Sequence, residues 1–190
     1  MDIIKDFIPE GRRNRPGIKM RPKYLCLHST ANTNPGADAF SHARYLKGDE
    51  AADYPKSWHF TVDDKTIVQH LPTNETAFHA GDGKGLGNTA SIGIEICENQ
   101  DGDLDRAIEN AAKLCAWLIQ TEGSLMPYPI CMKQHYDWSG KNCPRVLRGR
   151  PGGWEGFLAK VAENLKPATC PECARLKGLI ADAMRILERA

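Results

Sequence analysis

The sequence predicts an α/β fold, and three observations carry that prediction. Short runs rich in β-branched and aromatic residues recur along the chain. Patterns with helical spacing lie between them, and connections containing glycine and proline separate the two kinds of segment. The length of 190 residues, 41% apolar and 26% charged, suits one well-packed domain with a small appendage.

Taken in chain order, KYLCLHS at 23–29 alternates into an apolar run and reads as a strand. Residues 36–47, GADAFSHARYLK, are helix-compatible. WHFTVD at 58–63 and TIVQHL at 66–71 read as two strands of a hairpin that turns around Asp63, Asp64 and Lys65. GDGKGLGN at 81–88 reads as a long flexible connection. It lacks the Lys-Ser/Thr ending of a P-loop and precedes a strand pattern rather than a helix, which argues against nucleotide binding. That strand, SIGIEIC at 91–97, sets Ile92, Ile94 and Ile96 on one face and Ser91, Gly93 and Glu95 on the other. The clearest helix spans 103–121, where Leu104, Ile108, Ala111, Cys115, Leu118 and Ile119 recur at helical spacing behind the capping candidates Asp101 and Asp103. PGGWEGFLAKVAENL at 151–165 reads as a helix that closes the domain. Residues 167–190 then read as a linker and an amphipathic C-terminal helix that docks or self-associates.

Several function classes are excluded early. A formal net charge of +1 without a long basic run argues against a nucleic-acid partner. No run approaches the ~18 to 20 apolar residues of a membrane span, so no membrane insertion is expected. The N-terminus carries Asp2 and Asp6 and no apolar stretch of signal-peptide length, so the expectation is synthesis in a cytosol without a signal peptide. Seven cysteines, an odd number without a secretion signal, read as reduced thiols or metal ligands rather than a disulfide framework. Cys26, Cys97 and Cys115 lie in apolar stretches and are expected in the core. Cys170 and Cys173 form a single C-x-x-C with no second pair nearby, which does not complete a structural zinc site.

The chemistry concentrates in KQHYDWSGKNCP at 133–144, which holds an imidazole, a cation and a thiol at His135, Lys141 and Cys143. His28 ends the first strong strand, where its side chain can project into a cleft. Two imidazoles and a thiolate leave a fourth position of a tetrahedral zinc open, which is the catalytic pattern. Spacing alone leaves another reading open, an ordinary loop that contains a cysteine.

LHST, the SWHF and AFHAG segments, SIGIEIC and KQHYDWSGKNCP, in that order over about residues 18–165, resemble the zinc-dependent N-acetylmuramoyl-L-alanine amidases of the type 2 amidase family. That family includes peptidoglycan recognition proteins, and the match looks most like amidase domains of phage and prophage endolysins. The resemblance implies a mixed central β-sheet flanked by helices, with residues 1–166 as the catalytic domain. It implies Zn2+ held by His28, His135 and Cys143, and cleavage of the amide between N-acetylmuramic acid and L-alanine in peptidoglycan. Glu95 is then the group that takes a proton from the attacking water, with Glu98, beyond the strand, its nearest competitor. Lys141 is expected to stabilise the tetrahedral intermediate. The resemblance assigns His59 and His79 to the substrate groove, against a plain reading as strand-end histidines. Asp137 either orients His135 or caps the turn at 138–140, and His42 and His70 carry no assignment.

The same resemblance implies a protein made in the cytoplasm that acts on the cell wall after release. The segment after residue 166 is shorter than the wall-binding domain that usually follows in endolysins. Two other readings are weaker: recognition modules that bind muropeptides without cutting them typically lack a zinc ligand, often the cysteine. Cytosolic recycling amidases tend to carry aspartate where this chain has Cys143.

Overall fold

The computed structural model describes residues 2–166, so the expectations for the C-terminal helix and for Cys170 and Cys173 lie outside the described residues. Six strands form one sheet: β1 (Ile4–Lys5), β2 (Tyr24–Ser29), β3 (Phe60–Val62), β4 (Ile67–Gln69), β5 (Ser91–Ile96) and β6 (Met132–Gln134). Their spatial order is β1-β4-β3-β5-β2-β6. All neighbours run parallel except β3 and β4, which pair antiparallel through the hairpin expected at Asp63. The sheet is therefore mixed.

The alternation along β2 and β5 decides which face does what. Leu25, Leu27, Ile92, Ile94 and Ile96 are fully buried and point to one side of the sheet. There they meet Ile108, Ala111, Leu114, Cys115 and Leu118 of α4 (Leu104–Thr121), with Phe157 and Val161 of α7 (Gly153–Leu165) completing the cluster. Each fully buried Leu or Ile contributes about 1.5–3 kcal/mol to this layer. The other face carries His28 and Glu95, which are direct Cα partners across the parallel β2–β5 pair. Helix α1 (Ala39–Lys47) covers part of that second face, where Ala39 and Ala43 pack on Val68.

The two long predicted helices start where their caps require. The Asp103 carboxylate accepts the Arg106 N–H at 3.0 Å, and Asp38 accepts the Ser41 N–H at 2.7 Å. The sequence reading missed β1 and β6, which are two and three residues long. It also missed the short helices α2 (Asp49–Asp53), α3 (Leu86–Ala90), α5 (Tyr136–Ser139) and α6 (Arg145–Arg148).

The glycine-rich segment at 81–88 is not the flexible connection expected. The Asp82 carboxylate accepts the N–H groups of Gly87 and Asn88 at 2.7 and 3.1 Å. Asn88 Oδ1 accepts those of His79 and Ala80 at 2.9 and 2.8 Å, and its Nδ2 donates to the Gly83 carbonyl at 3.0 Å. Two side chains thus satisfy the backbone that a strand or long helix would otherwise pair, and α3 begins within the segment.

Candidate metal centre

Three segments deliver the site to the carboxyl ends of β2, β5 and β6, where ligands commonly bind in open α/β sheets. His28 and Glu95 sit near the ends of their strands. His135 immediately follows β6, and its N–H donates to the Leu27 carbonyl at 3.1 Å. The chain then makes α5, turns through Gly140 at φ 74°, and returns so that the Tyr136 N–H reaches the Cys143 carbonyl at 3.0 Å. The Arg145 N–H donates to Ser29 Oγ at 3.1 Å and fastens the far side of this loop to the end of β2. Cys143 is thus buried although it lies in a loop, because the loop folds back over the strand.

The three expected ligands converge. His28 Nδ1 and His135 Nδ1 are 2.9 Å apart, Cys143 Sγ is 3.8 Å from His28 Nδ1, and all three ligand atoms lie within 4.8 Å of one another. A tetrahedral zinc with N and S ligands would set these separations at ~3.3 and ~3.6 Å, so the donor set fits the ion. Burial holds both imidazoles neutral, with Lys141 adding to it, and a neutral imidazole is the ligating form. Burial also pushes the Cys143 thiol up to about 11; a bound cation reverses that by taking the thiolate.

A second set shares His28. Its Nε2 lies 3.1 Å from Cys26 Sγ and 2.9 Å from His79 Nδ1. Cys26 is fully buried and does not line the groove described next, whereas His28, His135 and Cys143 all do. The outer set is therefore the accessible one.

An open groove of about 520 Å³ runs from these ligands, past Glu95, His79 and Lys141, to Ser41, His42, Tyr45, Lys56 and Trp58. Its volume is within the usual range for a small-ligand site. Glu95 Oε2 is buried without a hydrogen-bond partner, and burial raises the carboxyl to about 8, opposed by the Lys141 charge. Lys141 is exposed and makes no ion pair among the described residues. Glu98 is committed elsewhere: one oxygen accepts from Arg145 Nε at 2.7 Å and the other accepts the Ala31 N–H at 2.6 Å. It is not available as a base. The Asp137 carboxylate accepts the Gln134 N–H at 2.8 Å, a backbone cap rather than a partner of His135.

The structure places His59 away from where the resemblance put it. His59 does not line the groove; it is fully buried, its Nε2 donates to the Glu75 carbonyl at 2.8 Å and its Nδ1 accepts the Gly93 N–H at 2.9 Å. Both ring nitrogens are spent on pinning β5 to the loop at 75. Its neighbour Trp58 lines the groove instead, stacked on Tyr45 with ring centroids 6.4 Å apart. In a short strand, alternation identifies two faces but not which one opens to solvent. Ser41, His42 and Tyr45 carried a signal in their helical spacing, since Tyr45 stands four residues after Ser41 and three after His42, the spacings that bring side chains together on a helix.

The sequence matches the Amidase_2 family, described as N-acetylmuramoyl-L-alanine amidase, over residues 18–146. The chain belongs to this amidase family. Within it, the chain is 52% identical over 164 residues to N-acetylmuramoyl-L-alanine amidase XlyA of Bacillus subtilis (strain 168), covering 85% of this chain and 51% of the relative. It is 47% identical over 167 residues to CwlH of the same organism, covering 87% of this chain and 63% of that one. The chain thus spans about half to two thirds of the length of these relatives. Among solved structures, the catalytic domain of XlyA superposes with a TM-score of 0.78, covering 85% of this chain and 99% of that domain. PlyL, at 31% identity, gives 0.73 with 85% and 97% covered. The mixed sheet and flanking helices are those of the amidase family's endolysin catalytic domains.

Proposed function

We propose that this chain is a zinc-dependent N-acetylmuramoyl-L-alanine amidase of the phage or prophage endolysin or autolysin kind. It hydrolyses the amide between the lactyl group of N-acetylmuramic acid and L-alanine of the peptidoglycan stem. The observation that carries the reading is one groove lined by the neutral imidazoles of His28 and His135, the Cys143 thiol, and a carboxyl and an ammonium that have no ionic partner among the described residues.

His28, His135 and Cys143 would hold the zinc, which when bound would supply a Lewis acid for the scissile carbonyl and the attacking water. Glu95 takes the proton of that water as its oxygen bonds to the carbonyl carbon. Burial raises this carboxyl's affinity for a proton, which suits it to hold the one it takes and return it, while a cation bound beside it would favour the ionised form that must first accept. The Lys141 ammonium, which makes no ion pair among the described residues and lines the same groove, stabilises the negative charge that develops on the carbonyl oxygen. Collapse breaks the C–N bond, and Glu95 hands its proton to the departing amine of L-alanine. The products are a lactyl carboxylate and a stem peptide with a free amino terminus. His79 lies at the ligand end of the groove, and the Tyr45–Trp58 pair and Lys56 offer a flat apolar surface and a cation for the body of the substrate. Among the described residues, no helix is long and apolar enough to cross a membrane.

Incubation with purified sacculi tests the proposal. Wild type should contain zinc and release stem peptides with new L-alanine amino termini. Chelation should abolish that release and zinc should restore it, while Cys143→Ser should lose the metal. Lys141→Ala should lower kcat by about 10²–10³-fold with KM little changed. Zinc-bound wild type that frees no L-alanine termini overturns the assignment.

A further inference from the structure

The Nδ1 atoms of His28 and His135 face each other, so a metal held there leaves Nε2 of His28 to carry the ring proton. Cys26 Sγ, a weak acceptor, lies 3.1 Å from Nε2, and that N–H needs a stronger one. His79 Nδ1 is 2.9 Å from it, with the two rings edge to face at 83°. The glycine-rich segment fixes where His79 stands, because Asn88 Oδ1 accepts its backbone N–H. Gly93 fixes where the ring lies. A Cβ at position 93 would come within 2.9 Å of His79 Cγ and 3.0 Å of its Cδ2 and Nδ1, a separation real side chains do not tolerate. The lone glycine in an otherwise isoleucine-rich strand is thus the space that lets the His79 ring reach His28.

We propose that His79 is a positioning residue whose Nδ1 accepts the Nε2–H of His28, locking that imidazole in the tautomer and orientation that present Nδ1 to the metal. This rests on the reading of His28, His135 and Cys143 as the zinc site. It gives a function to two sequence features otherwise unexplained, the ordered loop at 81–88 and the glycine inside β5. It also departs from an assignment of His79 to substrate contact alone.

The test is zinc affinity by chelator competition on the full chain, with no substrate present. His79→Leu removes the acceptor and should weaken zinc binding about 10–100-fold. His79→Asn carries an oxygen at the same bond distance from the backbone as Nδ1 and should return affinity to within ~3-fold of wild type. Gly93→Ala, which displaces the ring without altering its chemistry, should weaken zinc in the same direction and add nothing to His79→Leu in the double variant. His79→Leu with unchanged zinc affinity and a raised KM overturns the proposal in favour of substrate contact. So does an Asn variant as impaired as Leu. His28→Ala separates the two failures: if it keeps full zinc affinity, the metal-site reading falls, whereas zinc lost in His28→Ala but retained in His79→Leu sinks only the positioning role.

Discussion

Glu95 and Glu98 are both acidic residues at the end of β5, and their surroundings give them opposite duties. Glu98 bonds Arg145 and the Ala31 N–H, and Ala31 sits at φ 52°, a left-handed value that costs a non-glycine residue about 1–2 kcal/mol. Its carboxylate ties the segment after β2 to the start of α6. Glu95 has a buried oxygen with no partner and a pKa raised to about 8. Replacing it by the isosteric Gln should lower kcat by about 10²–10⁴-fold while leaving bound zinc unchanged, which metal analysis beside steady-state assays will check. Retained activity in that variant removes Glu95 from the proton transfer. The sequence ordered these two residues correctly because one lies within the alternating strand and the other beyond it. It could not reveal that His59 turns inward while Trp58 faces the groove, since that depends on the Glu75 carbonyl and Gly93 N–H waiting for the ring.

Among elements, those with a long periodic pattern were legible. The strands around β2, β3, β4 and β5 and the helices α1, α4 and α7 stand where the spacing of apolar residues sets them. The others are too short to show a period, and some loops are held by single side chains that no periodicity announces. The clearest case is the segment at 81–88, where Asn88 alone makes three bonds to the backbone. Asn88→Ala leaves buried N–H groups at 79 and 80 unpaired, which should cost about 2 kcal/mol and lower Tm by about 4–8 °C. Calorimetry measures the first effect, and new proteolytic cleavage between residues 81 and 88 reports the second, local loosening. An unchanged Tm with an intact loop shows that the glycines order themselves without Asn88.

At the scale of the whole molecule, buried neutral histidines set the acid limit of stability. His59 and His70 are fully buried, and burial depresses them to about 4 and about 3, whereas an unfolded chain protonates histidine near 6.5. Below that value the unfolded state binds protons the fold refuses, so stability is full above pH 6.5 and is lost as pH falls toward the folded values. Each should cost about 1–2 kcal/mol by pH 5. Urea unfolding of metal-free protein at pH 7, 6 and 5 should show a falling midpoint, and His70→Gln should flatten it; a pH-independent midpoint contradicts this account. The same sheet face that carries these histidines carries Glu95 opposite His28, one residue out of step with the isoleucines. Shifting β5 by a single position would thrust its carboxylate under α4 and turn isoleucine toward His28. The apolar layer therefore acts as a reading frame: a chain that seats Ile92, Ile94 and Ile96 has no remaining way to misplace its acid.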